Sequence, residues 1–107
     1  MPRTLGTGGV PMAYYFIATY DVTDEDIYAA YVREVGATVT KHGGLVLVSS
    51  RHPELVEGSV DPTQVVIQFP SEASARAWYA DPDYQPLLAL RFAATRNGSA
   101  VFASGLQ

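Results

Sequence analysis

The run Tyr14-Tyr15-Phe16-Ile17-Ala18-Thr19-Tyr20 carries an aromatic, aliphatic or β-branched side chain at nearly every position and is closed by Asp21, Thr23 and Asp24. Such a segment is a β-strand. Side chains alternate across a strand, so Tyr14, Phe16, Ala18 and Tyr20 share one face while Tyr15, Ile17 and Thr19 share the other. Leu45 to Val48 and Ala100 to Ala103 are likewise apolar on both faces, and only Gln64 to Phe69 keeps a polar row, through Gln64 and Gln68. A sheet with helices on one face and water on the other would alternate apolar with polar residues. Leaving a second apolar face wet forgoes about 25 cal/mol per Å2 and leaves a patch larger than soluble monomers usually carry. The pattern therefore predicts a homodimer formed through the sheet face. Closure of the strands into a barrel within one chain is the rival, but four strands are too few to close.

The remaining elements follow from caps and breakers. Thr23 is the expected N-cap of a first helix, with Asp24, Glu25 and Asp26 at the end where the helix dipole favours negative charge. That helix runs towards Lys41 and His42 with an apolar stripe of Ile27, Tyr28, Tyr31, Val35, Thr38 and Val39, and Gly43-Gly44 stops it. Gly36 costs about 1 kcal/mol against Ala and marks a place for a kink. Leu45 to Ser49 and Gln64 to Phe69 form a long hairpin. Ser71 caps a helix to Tyr79, Asp81-Pro82 starts another that reaches about Arg96, and Asn97-Gly98 turns the chain into a last strand at Ser99 to Ala103. The order is that of an α+β ferredoxin-like βαββαβ sandwich, a four-stranded antiparallel sheet with helices on one face. Residues 13–107 are expected to form one domain and residues 1–12, rich in Gly and Pro, a disordered leader.

Composition excludes several classes. The net charge is -4, from 11 acids against 7 bases with no basic cluster, so nucleic acid has no electrostatic footprint. Cysteine is absent, which removes disulfides, thiolate nucleophiles and Cys-ligated metal centres. No apolar run reaches the length of a membrane span and the first residues lack a signal-peptide core, which agrees with a cytoplasmic protein. Neither G-x-S-x-G, G-x-G-x-x-G nor a P-loop occurs. His52-Pro53-Glu54 matches the H-x-E of zinc deaminases, but the required cysteines do not exist. No metal and no cofactor is expected.

Two residues carry the candidate chemistry. Tyr84, Leu87, Leu88 and Arg91 fall on one helical stripe, which places a guanidinium on the face that should be buried. Arg91 is then either paired with internal acceptors or an anchor for an anionic ligand. His42 ends the first helix's stripe, either as a general acid or base facing the cleft or as a cap for free carbonyls. Tyr28, Tyr31, Trp78 and Tyr84 are candidate walls of an aromatic pocket, or core. The leading reading is a homodimer that binds a small anionic or aromatic molecule between helices and sheet. The alternatives are a cofactor-independent enzyme, isomerase or monooxygenase-like, using His42 and Arg91, and a dimerisation module without a ligand.

The Tyr-rich first strand, Tyr28 and Tyr31, His42-Gly43-Gly44, Glu57-Gly58, Phe69-Pro70-Ser71 through Ala77-Trp78-Tyr79, Asp81-Pro82, Tyr84 and Arg91 together resemble the family called domain of unknown function thirteen-thirty, within the dimeric α/β-barrel superfamily. The resemblance spans Tyr14 to Ser104, and the stretch from Phe69 to Arg91 is its most specific part. It implies a ferredoxin-like protomer that dimerises through its sheet into an α/β barrel, with a cleft between sheet and helices. It implies no activity, because relatives at superfamily distance include cofactor-independent monooxygenases, muconolactone isomerase-like enzymes and haem-dependent chlorite dismutases.

Overall fold

The structure, a computed structural model, describes residues 13–106, so the expected leader at 1–12 lies outside the described residues. The elements are β1 (Tyr14–Val22), α1 (Glu25–Lys41), β2 (Leu45–Ser50), β3 (Thr63–Phe69), α2 (Glu72–Ala80), α3 (Gln85–Ala94) and β4 (Thr95–Ser104). The strands form one antiparallel sheet in the order β2-β3-β1-β4, and the helices cover one of its faces. This is a ferredoxin-like sandwich.

The expectation of an α/β barrel is overturned. β2 and β4 are the two edges of the sheet and do not pair with each other, so the sheet is open. Four strands, of six residues in β2 to ten in β4, supply too little circumference for a closed hydrogen-bonded wall.

The covered face is the core. Phe16, Ala18 and Tyr20 of β1 and Ile67 and Phe69 of β3 are buried there, with Trp78 of α2 edge-on to Phe16 at 5.1 Å and tilted on Phe69 at 5.3 Å. The strand register assigns the opposite face row by row. Val48, Val66, Ile17 and Val101 line up across all four strands, and Ser50, Gln64, Thr19 and Ser99 form a polar row beside them. Val48 and Val101 keep 40% and 49% of their surface exposed.

Several local expectations shift. Asp24, not Thr23, caps α1 by accepting the Ile27 N–H at 3.0 Å, because the Thr23 hydroxyl and both backbone N–H groups of Thr23 and Asp24 are spent on the Ala94 carbonyl at the end of α3. α1 runs unbroken through Gly36. Asp81 turns its carboxylate to the Asp83 N–H at 2.8 Å, so α3 starts only at Gln85. Asn97 and Gly98, with φ of 60° and 77°, do not end an element but form a left-handed pair inside β4, where the register against β1 shifts between Thr19 and Asp21. A Cβ at position 98 would stand 1.8 Å from the Thr19 carbonyl oxygen, so only glycine fits.

Candidate functional site

The i, i+3, i+4 spacing that makes α1 amphipathic sets Tyr28, Tyr31, Val35 and Val39 over the β2–β3–β1 part of the sheet. Between them lies a cavity of about 190 Å3, walled by those residues, by Tyr20 and Ile67, and by Gly36. A Cβ at Gly36 would meet nothing within 4 Å. The glycine that weakens the helix therefore leaves open space at the cavity wall.

Ser49 borders this cavity at the sheet, and the buried polar atoms near it are phenol hydroxyls. Tyr20 Oη lies 2.8 Å from Tyr28 Oη, and Tyr31 Oη lies 3.1 Å from Tyr84 Oη. Burial pushes the Tyr20 and Tyr31 phenols far above the ordinary tyrosine value, and burial raises Tyr84 as well. These phenols stay protonated at neutral pH and act as hydrogen-bond donors, not as bases. The Arg91 charge acts on the same three rings in the opposite sense, favouring negative charge on their oxygens.

Arg91, in the last turn of α3, is 4% exposed. Its guanidinium carbon lies 5.7, 5.6 and 5.4 Å from the ring centroids of Phe16, Tyr20 and Phe92. Its Nε has no hydrogen-bond partner, and among the described residues it forms no ion pair. It lines a second cavity, also of about 190 Å3, between β1, β4 and α3. Tyr20 borders both cavities.

His42 sits elsewhere. As the C-cap of α1 it places Nε2 2.7 Å from Asp81 Oδ2, which Lys41 Nζ also approaches at 2.8 Å. Lys41, then His42, then the Asp83 N–H hold the Asp81 carboxyl well below the usual carboxylate range. His42 borders neither cavity, so the structure does not bring the two candidate catalytic residues together. Of the four candidate walls, Tyr28 and Tyr31 line the cavity under α1. Trp78 and Tyr84 are fully buried core, their rings tilted against each other with centroids 4.3 Å apart, and the indole N–H donates to Thr38 Oγ1 at 3.0 Å. Sequence reasoning missed Tyr20 and Gly36 as site residues and Asp81 as the partner of His42. The first was legible as a strand residue on the Phe16 face; the last depends on a contact across 39 residues.

Among the described residues no group of three or more His, Cys, Asp and Glu could hold a metal ion, and no helix is long and apolar enough to cross a membrane. The fold and its covered cavity define a ferredoxin-like α+β domain. The chain belongs to the family described as domain of unknown function (DUF1330), which matches residues 13–106. No curated protein matches it. It is similar in fold to a protein of unknown function from Rhodopseudomonas palustris, at 19% identity and TM-score 0.76 over 91% of this chain and 85% of that one. SnoaB, a cofactor-independent oxygenase from Streptomyces nogalater, aligns at 16% identity and TM-score 0.60 over 90% and 95% of the two chains. A dimeric ferredoxin-like protein of unknown function from Thermobifida fusca aligns at 20% identity and TM-score 0.55 over 97% and 99%.

Proposed function

We propose that this chain is a small-molecule-binding domain that performs cofactor-independent chemistry, isomerase or monooxygenase-like, on a ligand held in the cavity under α1. The observation that carries the reading is an apolar cavity whose buried polar groups are protonated phenols backed by the charge of Arg91. Such donors favour an oxygen that carries negative charge, such as that of a bound enolate or phenolate. The likeness in fold to a cofactor-independent oxygenase supports the same class.

The two expected catalytic residues enter in different capacities. Arg91 acts behind Tyr20 as electrostatic support. His42, held on Asp81 at the end of α1, is a general acid or base only for a ligand long enough to reach it. Trp78 and Tyr84 support the walls from behind. The test is calorimetric binding of a panel of small aromatic ketones and phenols to the wild type, to Gly36→Ala and to Gly36→Phe. Binding by the first two and its loss in Gly36→Phe, with unchanged circular dichroism, is the expected result. Equal binding by all three would remove the cavity from the function.

A second copy of the chain is the proposed partner for the open face, with the cytoplasm as the expected compartment on the sequence grounds given above. The continuous row Val48, Val66, Ile17 and Val101 supports it, as does the dimeric relative in fold from Thermobifida fusca. Sedimentation at micromolar concentration should give the mass of two chains; a monomer would sink the pairing.

A further inference from the structure

We propose that the cavity at the β4 bulge is a separate site for a small oxyanion, a carboxylate or a phosphate, with Arg91 as its anchor. A buried guanidinium costs folding energy unless hydrogen-bond acceptors and negative charge meet it. Around Arg91 the described residues offer three aromatic faces, which attract the charge but accept none of its N–H groups in line. Nε is buried and unpartnered. The acid nearest along β1, Asp21, is taken by Arg96 at 3.0 Å. The first twelve residues contain no Asp or Glu.

The cavity that Arg91 lines is built for what is missing. Thr95 and Asn97 are polar residues of its lining; Thr19 and Ser99 border it too, but their side chains belong to the polar row of the open face. The Thr95 hydroxyl donates to the Arg91 carbonyl at 2.7 Å and so fixes the end of α3 on which the guanidinium is carried. Gly98 shapes the opposite wall, since any side chain there would strike the Thr19 carbonyl. At about 190 Å3 the space suits a group of the size of acetate or phosphate. A planar guanidinium with an unpartnered N–H is the group that recognises a carboxylate or phosphate. Because Tyr20 separates this cavity from the one under α1, the site stands whether or not the enzymatic reading does.

The test is titration of the full-length protein with sodium acetate and with sodium phosphate at an ionic strength fixed by sodium chloride, read by calorimetry and by the thermal midpoint. A saturable rise in midpoint that chloride does not reproduce is expected. Arg91→Lys should weaken binding by about tenfold, since it keeps the charge but loses the fork. Arg91→Met should abolish binding, Asn97→Gly, which keeps the positive φ, should weaken it less than Arg91→Lys, and Gly36→Phe should leave it unchanged. If Arg91→Met does not fold, Arg91→Lys and Asn97→Gly decide. The proposal is overturned by the absence of a saturable effect, by equal affinity in Arg91→Lys and the wild type, or by a midpoint that rises with protein concentration and not with added anion. The last outcome would assign the missing carboxylate to a second copy of the chain.

Discussion

The two faces of the sheet are built from the same strands and end in different states. On the covered face, Phe16, Ile67 and Phe69 are sealed by α2 and the aromatic array around Trp78, and each is at most 3% exposed. On the open face, Val48 and Val101 remain half in water although the residues are no less apolar. The difference shows that apolar content alone does not set burial. The helices of one chain form a single layer that covers one face, and the other face stays open.

The largest effect that could break this contrast is Phe69→Ala. The side chain is fully buried, so chemical unfolding should show a loss of about 3–5 kcal/mol, whereas a small loss would mean that the covered face is loosely packed. Next comes Val101→Glu on the open face, half-exposed in the single chain. Sedimentation should show self-association weakened by about 2 kcal/mol, roughly thirtyfold, with the monomer's circular dichroism unchanged. An undiminished dimer would put its interface elsewhere. A smaller change, and of opposite sign, is expected at the cavity that leaves the covered face incompletely filled. Gly36→Ala meets open space and should stabilise the protein by about 0.5–1 kcal/mol in thermal unfolding, unless the helix is strained there.

The mildest effect concerns how the helical layer is pinned. Lys41 and His42 favour the charged form of Asp81, so its contribution is fully present above the unfolded value of 3.8 and is lost as the pH falls below it. Asp81→Asn should be less stable near neutrality and flatten the acid limb of an unfolding profile. An unchanged acid limb would show that Asp81 does not tie the end of α1 to the α2–α3 junction.

Much of the architecture was legible because it rests on local periodicity. The period-two pattern of Tyr14 to Tyr20 gave a strand with two apolar faces, the stripe from Ile27 to Val39 gave α1, and Ser71 capped α2 as its hydroxyl at 3.1 Å from the Ser74 N–H shows. The site was legible only in part. Tyr28 and Tyr31 lie on a helix whose inward face is readable from spacing. Trp78 and Tyr84 have the same composition and spacing signals, yet they fill the core, because whether an aromatic walls a cavity depends on what the opposite element leaves empty.

Asn97-Gly98 shows the same limit at the backbone. The dipeptide signals positive φ, but whether that makes a turn or a bulge depends on the neighbouring strand, here Thr19, whose carbonyl oxygen would lie 1.8 Å from any Cβ at position 98. The sequence by itself determined the element order, the buried position of Arg91 and the apolar character of both sheet faces, since each follows from residues within a few turns of one another. Only the tertiary structure decided that the sheet stays open, that His42 is spent on Asp81 and that Arg91 meets rings instead of a carboxylate. The His42–Asp81 contact and the approach of Arg91 to Phe16 and Tyr20 join segments 39 residues apart or more, and no local spacing encodes which side chains the fold brings together.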